Sequence, residues 1–149
     1  MNYFLVNNGY HYFDVESHLK TGIEAALIVI SHKIEKYNCD LFSVVYRFDT
    51  PWTTRQWLKI RPVRSEIKKI RRELSPKKSD VLFCYTEYEP LNQIVISYFK
   101  EHGARVYLIE DGGVASYIPN LALNSDQFDT KTLIIKYLTR LALGVGYYD

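Results

Sequence analysis

The chain has few of the residues that build metal sites and disulfide-stapled folds. Only two of its 149 residues are cysteines, Cys39 and Cys84, and neither belongs to a Cys-x-x-Cys pair. This argues against a structural zinc site and against a small fold held together by disulfides. Cys84 lies within an apolar run and is expected to be an inert core thiol.

Long apolar runs are also missing. No stretch approaches the roughly 18 apolar residues that a helix needs to cross a bilayer, and the opening MNYFLVNNGYHYF lacks the regions of a signal peptide. We therefore expect a cytoplasmic protein with reduced thiols. With 47% hydrophobic and 24% charged residues, the composition is that of a globular protein, and the length predicts one domain over residues 1–149.

The net charge is only +2, but it is unevenly distributed. Nine basic and two acidic residues lie between Lys59 and Lys78, so this segment carries +7 and the rest of the chain −5. Its spacing predicts a helix over residues 63–74 with one apolar stripe. The basic face is either simply solvated or docks on anionic lipid at the inner membrane, as a peripheral contact. The residues expected to make that contact are Lys68, Lys69, Arg71 and Arg72. No nucleic-acid partner is expected, because no aromatic residues are interleaved with the basic ones.

Apolar runs alternate with amphipathic segments along the chain. The pattern predicts strands at 3–6, 26–30, 43–48, 81–85 and 105–109, and helices at 13–21, 63–74 and 90–102, with a last helix starting at Asp129 or Thr130. The strands lack polar alternation, as is typical of a parallel sheet covered by helices on both faces. The fold class is therefore α/β and Rossmann-like, in which ligands bind at the carboxyl ends of the strands.

Polar residues follow three of the predicted strands and should meet at one edge of the sheet. After the first strand come Asn8, Gly9 and His11, after the fourth comes Glu87, and after the fifth come Glu110, Asp111, Gly112 and Ser116. A carboxylate at such a strand end is partly desolvated, and the adjacent Glu110 would further raise the pKa of Asp111 and make it a better general base. Gly112 lets the backbone turn the acid into the cleft. The alternative is an ordinary Asp-Gly turn in which Asp111 caps the next segment.

The other strand-end residues also have two interpretations. Asn8 and His11 could line the cleft and bind a ligand, or they could belong to an ordinary turn with an exposed histidine. Glu87 could line the same cleft, or it could, with Glu89, favour the positive end of the following helix. The residues expected to bind a substrate are Asn8, Gly9, His11, Glu87, Gly112 and Ser116.

The stretch VYLIEDGGVASY, residues 106–117, resembles the acidic motif of bacterial sialyltransferases and polysialyltransferases of the lipooligosaccharide and capsule type. In that motif two acidic residues precede a glycine, and the strand–helix–strand context from Asp80 to Tyr117 is similar as well. The resemblance implies that Asp111 is the general base on the acceptor hydroxyl and that Glu110 is its companion. It also implies the two-lobed GT-B fold, of which this chain resembles the N-terminal, acceptor-side lobe.

The chain departs from that family in its second motif. The family has a His-Pro pair in its C-terminal lobe, where the histidine contacts the phosphate of the CMP donor, whereas none of the four histidines here precedes a proline. The resemblance therefore implies that a nucleotide-sugar donor of the CMP-sialic acid type binds in a further, missing lobe. It also implies that the acceptor-side lobe, residues 1–149, holds no cofactor. The resembling enzymes need no metal for the transfer, and no Asp-x-Asp pair suggests one here.

Two hypotheses from different classes follow. The first is the acceptor-binding lobe of an inverting bacterial glycosyltransferase, whose partner is a glycan or glycolipid acceptor and which is incomplete without its donor lobe. The second is a non-catalytic α/β binding or membrane-docking module. A small phosphate-handling enzyme of flavodoxin-like shape is also compatible with the fold, but the sequence has no phosphate loop to support it.

Overall fold

The structure is a computed structural model that describes residues 1–20, 22–31, 34, 36–49, 60–86 and 90–109. Within these residues no helix is both long enough and apolar enough to span a membrane. The expected last helix lies outside the described residues, so the single domain over residues 1–149 stays a prediction.

Five parallel strands form one sheet. They are β1 (Asn2–Val6), β2 (Ala25–Ile30), β3 (Val44–Phe48), β4 (Val81–Cys84) and β5 (Arg105–Leu108), and their order across the sheet is β3-β2-β1-β4-β5. All four pairings are parallel. From β1 each new strand is added on one side, first β2 and then β3. The chain then returns past β1 and adds β4 and β5 on the other side, so the direction in which strands are added reverses between β1 and β4. The expected α/β, Rossmann-like sheet is confirmed.

Three helices cover the sheet on both faces. They are α1 (Gly9–His18), α2 (Ile60–Glu73) and α3 (Pro90–Glu101), and a short 3₁₀ turn, Cys39–Leu41, leads into β3. Helices α2 and α3 pack on one face, where their apolar residues join one core cluster. Helix α1 packs on the other face through Tyr12 and Val15. Because β2 lies under both layers, all six of its residues are buried, as its unbroken apolar sequence predicts.

Helix α1 begins four residues earlier than the hydrophobic pattern predicts. The pattern gives a helix over residues 13–21, whereas the structure has it over Gly9–His18. The cause is Asn8, whose side chain accepts a hydrogen bond from the backbone N–H of His11 at 3.0 Å and so caps the helix. The Asn-Asn-Gly sequence is therefore a helix start rather than a free turn.

The other helix boundaries agree with the sequence to within a few residues. Helix α3 begins at Pro90, as predicted, and ends at Glu101, close to the predicted His102. Gly103 follows with a φ of 75°, the left-handed conformation that closes a helix. Helix α2 starts at Ile60 instead of residue 63, so Pro62 lies in its first turn, where a missing N–H removes no helical hydrogen bond.

Candidate functional site

The reversal between β1 and β4 locates a candidate site at the carboxyl edge of the sheet. In open parallel sheets the loops that leave the strands on either side of such a reversal diverge to opposite faces and leave a crevice between them. Here the loop after β1 leads into α1 on one face, and the loop after β4 leads into α3 on the other. Polar side chains from both loops meet at this point.

A reciprocal pair of amides joins the two sides of the reversal. Asn7, directly after β1, donates from Nδ2 to Oδ1 of Asn92 at 2.9 Å, and Asn92 donates from Nδ2 to Oδ1 of Asn7 at 2.8 Å. Both side chains are buried, Asn92 completely. Since a buried amide must find partners inside the protein, this pairing fixes the start of α3 against the end of β1.

The same two amides reach the backbone of the neighbouring strands. Asn92 Nδ2 also donates to the carbonyl oxygen of Thr86 at 2.6 Å, and Asn7 Nδ2 lies 3.4 Å from the carbonyl oxygen of Ile30. Two side chains therefore connect the carboxyl ends of β1, β2 and β4. The result is a pre-organised edge in which the loop after β4 has a defined starting position.

His11 lies beside this amide pair and is almost completely covered, with 1% of its surface exposed. The backbone N–H of Asn7 donates to its Nδ1 at 3.3 Å, and Nδ2 of Asn8 lies 3.1 Å from its Nε2. Its ring stacks on Tyr85, with 4.5 Å between centroids and 7° between planes. The alternative of an exposed histidine on a turn is therefore wrong, because these contacts bury the ring.

Tyr85 continues the network to the outer side of α1. Its hydroxyl donates to Oδ2 of Asp14 at 2.6 Å, a short bond to a charged acceptor. Asp14, Tyr85 and His11 thus form a connected series that begins and ends in α1 and passes across the end of β4. The series ties α1 to β4, two elements 71 residues apart in the chain at this contact.

An exposed aromatic residue stands next to the buried network. Tyr10, in the first turn of α1, is 64% exposed, and its ring meets the ring of His11 edge-on at 6.4 Å. A tyrosine at the rim of a cleft offers a flat apolar face together with a polar hydroxyl. Both features suit a partner that is itself partly apolar and partly polar, such as a sugar ring.

The fifth strand ends at this same edge, and the predicted acidic motif follows it in the sequence. The N–H of Ile109 donates to the carbonyl oxygen of Cys84 at 2.7 Å, so the chain still follows the sheet one residue before Glu110. Ile109 also packs against the core cluster that contains Tyr85 and the buried residues of α1. The side chain of Ile109 therefore lies on the α1 side of the sheet, which is the side on which His11 lies.

The structure brings some of the predicted site residues together and leaves others untested. Asn8 and His11 are in contact, and Gly9 is the first residue of α1, where an added Cβ would meet open space. The remaining candidates lie outside the described residues; they are Glu87, Glu110, Asp111, Gly112 and Ser116. Their roles stay predictions.

Sequence reasoning missed the residues that hold the edge together. Asn92 follows the apolar Leu91 in the first turn of α3 and is read by helical spacing as a surface residue, but it is fully buried. Tyr85 was expected only as the last residue of a strand. One local feature could have indicated the burial of Asn92. It is an amide in the first turn of a helix that follows a buried strand, where a side chain points back toward the strand ends.

Metal ligands do not gather in the described part of the chain. Among those residues no three His, Cys, Asp or Glu side chains lie close enough to hold a metal ion together.

Comparisons with known proteins identify no relative. No family model, no curated protein and no solved structure matches the chain. The grounds for a functional proposal are therefore the geometry of the sheet edge and the resemblance of residues 106–117 to the acidic motif described above.

Proposed function

We propose that this chain is the acceptor-binding lobe of an inverting, sialyltransferase-like glycosyltransferase and that Asp111 is its general base. The observation that carries the proposal is the position of Ile109 at the end of β5, directly before Glu110 and Asp111 in the sequence. It lies at the carboxyl edge of the sheet, where the loops after β1 and β4 lead to opposite faces. A glycan or glycolipid acceptor would lie in this crevice, and a nucleotide-sugar donor of the CMP-sialic acid type would bind elsewhere.

The distances support this assignment. Neighbouring strands lie about 4.8 Å apart, so the end of β5 is about 7 Å from the middle of the gap between β1 and β4. Asp111 is two residues beyond Ile109, and two extended residues span up to about 7 Å. The carboxylate can therefore reach the crevice without any rearrangement of the sheet.

The proposed chemistry needs one base and a fixed acceptor. The Asp111 carboxylate removes the proton of an acceptor hydroxyl while that oxygen attacks the anomeric carbon of the donor sugar. The bond from the anomeric carbon to the phosphate oxygen breaks, and CMP leaves with the electron pair, so the configuration inverts. General-base assistance of this kind contributes roughly 10²–10⁴-fold, and Tyr10 would provide a stacking face for the acceptor ring.

Acceptor binding is the test. The chain is mixed with a lipooligosaccharide core oligosaccharide, and binding is followed by saturation-transfer difference NMR. We expect signals from the oligosaccharide that are lost in Asp111→Ala and weakened in Tyr10→Ala. Asp111→Asn should keep them, because the amide oxygen still accepts a hydrogen bond. In the full enzyme to which this lobe is proposed to belong, Asp111→Asn should lower turnover by roughly 10²–10⁴-fold.

The matched control is Asp40→Asn. Asp40 is exposed in the 3₁₀ turn before β3, at the amino end of the strands, so it changes the charge equally at the opposite edge. Its variant should bind the oligosaccharide like the unaltered chain. Binding that survives Asp111→Ala undiminished would remove Asp111 from the site.

A second candidate function is a non-catalytic α/β interaction module. It is favoured by the way Asn7 and Asn92 satisfy one another and by the burial of His11, since an edge organised in this way needs no ligand to hold its shape. This candidate predicts no oligosaccharide signal from a chain that is correctly folded. The same titration therefore distinguishes the two functions.

A further inference from the structure

Helix α2 and the turn after it present a continuous basic surface. We define the basic face by its six exposed cations, which are Arg64, Lys68, Arg71, Arg72, Lys77 and Lys78. Arg64, Lys68 and Arg71 follow one another at intervals of four and three residues, so they lie along one side of the helix. Lys77 and Lys78 are exposed in the turn after α2.

The apolar side of α2 is fully used by the core. Val63, Ile70 and Leu74 are completely buried and join the cluster under the sheet, and Ile67 packs against it. Among the described side chains of α2, from Val63 to Glu73, no apolar stripe is left to insert into a partner. Any contact made by the basic face must therefore be electrostatic and must lie flat against the helix.

Acidic neighbours do little to neutralise this face. Glu66 is half-buried and accepts a hydrogen bond from the backbone N–H of Asp49 at 3.1 Å. Glu73 is also half-buried, and it pairs with Arg72 at 3.2 Å. Only one of the six cations is thus held by an acid of the same helix.

Lys69 does not belong to this surface, although the sequence grouped it there. Its Nζ donates to the carbonyl oxygen of Arg47 at 2.7 Å and lies 5.4 Å from the centre of the Phe48 ring. This lysine is directed toward the end of β3 and fastens α2 to that strand. The structure therefore separates one structural lysine from the cations that are exposed.

We propose that the basic face docks the protein on an anionic lipid bilayer. Its cations extend over a helix of 14 residues, which at about 1.5 Å per residue is roughly 20 Å long, and a planar surface of anionic headgroups can contact all of them at once. A single-stranded nucleic acid is disfavoured because no exposed aromatic side chain in the described residues accompanies the cations for base stacking. Tyr98, the nearest aromatic on α3, is half-buried, and its hydroxyl donates to the carbonyl oxygen of Arg71.

Docking through α2 leaves the carboxyl edge of the sheet open. Helix α2 covers a face of the sheet, whereas the carboxyl ends of β1 and β4 lie at its edge. A membrane-bound protein could thus still admit a ligand from the side. This inference stands without the glycosyltransferase proposal, since it depends only on the charge and exposure of the basic face.

Vesicle co-sedimentation tests the inference. The chain is mixed with vesicles of phosphatidylcholine alone or of equal parts phosphatidylcholine and phosphatidylglycerol. We expect binding to the anionic vesicles only, and its loss at about 0.5 M salt because screening shortens the reach of exposed charges. Each basic residue near an anionic surface contributes about five-fold in affinity, so Lys68→Ala/Arg71→Ala should weaken binding about 25-fold.

Two further variants are the controls. Lys36→Ala/Arg105→Ala removes the same residue types and the same charge from exposed positions outside α2, and it should bind as the unaltered chain does. Lys69→Ala should also keep vesicle binding within about two-fold. A cation that contacts the anionic surface contributes about five-fold in affinity, and Lys69 should contribute less because its Nζ is bonded to the carbonyl oxygen of Arg47. Urea unfolding verifies that each variant is folded.

Three results would overturn the inference. One is no binding to anionic vesicles at low salt by the folded chain. Another is an equal loss of binding in both double variants, which would mean that net charge and not the basic face is responsible. The third is tight binding to duplex DNA that Lys68→Ala/Arg71→Ala abolishes while vesicle binding is absent, which would assign the basic face to nucleic acid.

Discussion

Replacing Asn92 by leucine, which has the same branched skeleton of heavy atoms, removes the connection between the two sides of the candidate site. The change deletes three hydrogen bonds, two to the Asn7 amide and one to the carbonyl oxygen of Thr86. Each is worth about 1 kcal/mol net, and a buried polar group left without a partner costs about 1–3 kcal/mol more. We expect the free energy of unfolding to fall by about 3–5 kcal/mol, a large share of the 5–15 kcal/mol typical of a domain.

A double-mutant cycle separates the hydrogen bonds from packing. Asn7→Leu loses the same two amide–amide bonds, so the double variant should be less destabilised than the sum of the single variants by about 2 kcal/mol. Aspartate is nearly the same size as asparagine, but Asn92→Asp would place a carboxylate oxygen against two acceptors, Oδ1 of Asn7 and the carbonyl oxygen of Thr86. This variant should therefore be at least as destabilising as Asn92→Leu. Urea unfolding followed by circular dichroism measures each free energy. Additive effects, or a harmless Asn92→Asp, would refute the amide pairing.

Two stability predictions follow from the backbone and from burial. Burial, with a smaller contribution from Asp80, raises the pKa of Tyr3 to about 12. The raised pKa favours the folded state below pH 10, and that advantage is lost as the pH rises from about 10 through 12. In urea unfolding, the stability of the unaltered chain should therefore fall relative to Tyr3→Phe by about 1.4 kcal/mol at pH 11; a constant difference between the two would contradict this. Gly103→Ala should lower the free energy of unfolding by about 1–2 kcal/mol, because the φ of Gly103 is 75°. Gly9→Ala should cause no measurable loss of stability, because a Cβ at Gly9 meets open space. Equal losses of stability in thermal unfolding would refute the argument.

The sheet could be predicted from the sequence because its signals are local. β2 reads as an unbroken apolar run, and every residue in it is buried in the structure. Helix α3 has a proline at its start, a glycine after its end and apolar residues at helical spacing between them. Each of these features depends on neighbours within a few residues, so no knowledge of the tertiary contacts was needed.

The candidate site could be predicted only in part because its contacts are distant in sequence. The strand-end rule located the loops that carry Asn8 and His11, but it did not reveal the burial of His11. That burial comes from stacking on Tyr85, and Asn92 meets Asn7 across 85 residues of chain. Neither partner has a local pattern that marks it. The role of Asp111 rests on the resemblance and on the exit of β5, and it stays a prediction.

The most direct measurement of the central claim is an NMR titration of the isotope-labelled chain with a lipooligosaccharide core oligosaccharide. The account predicts that backbone amide shifts change at the carboxyl edge, at Asn8, Thr86 and Ile109, and stay constant at the amino edge, at Glu24 and Ser79. Changes concentrated at the amino edge, or a folded chain whose spectrum does not respond to the sugar, would contradict it.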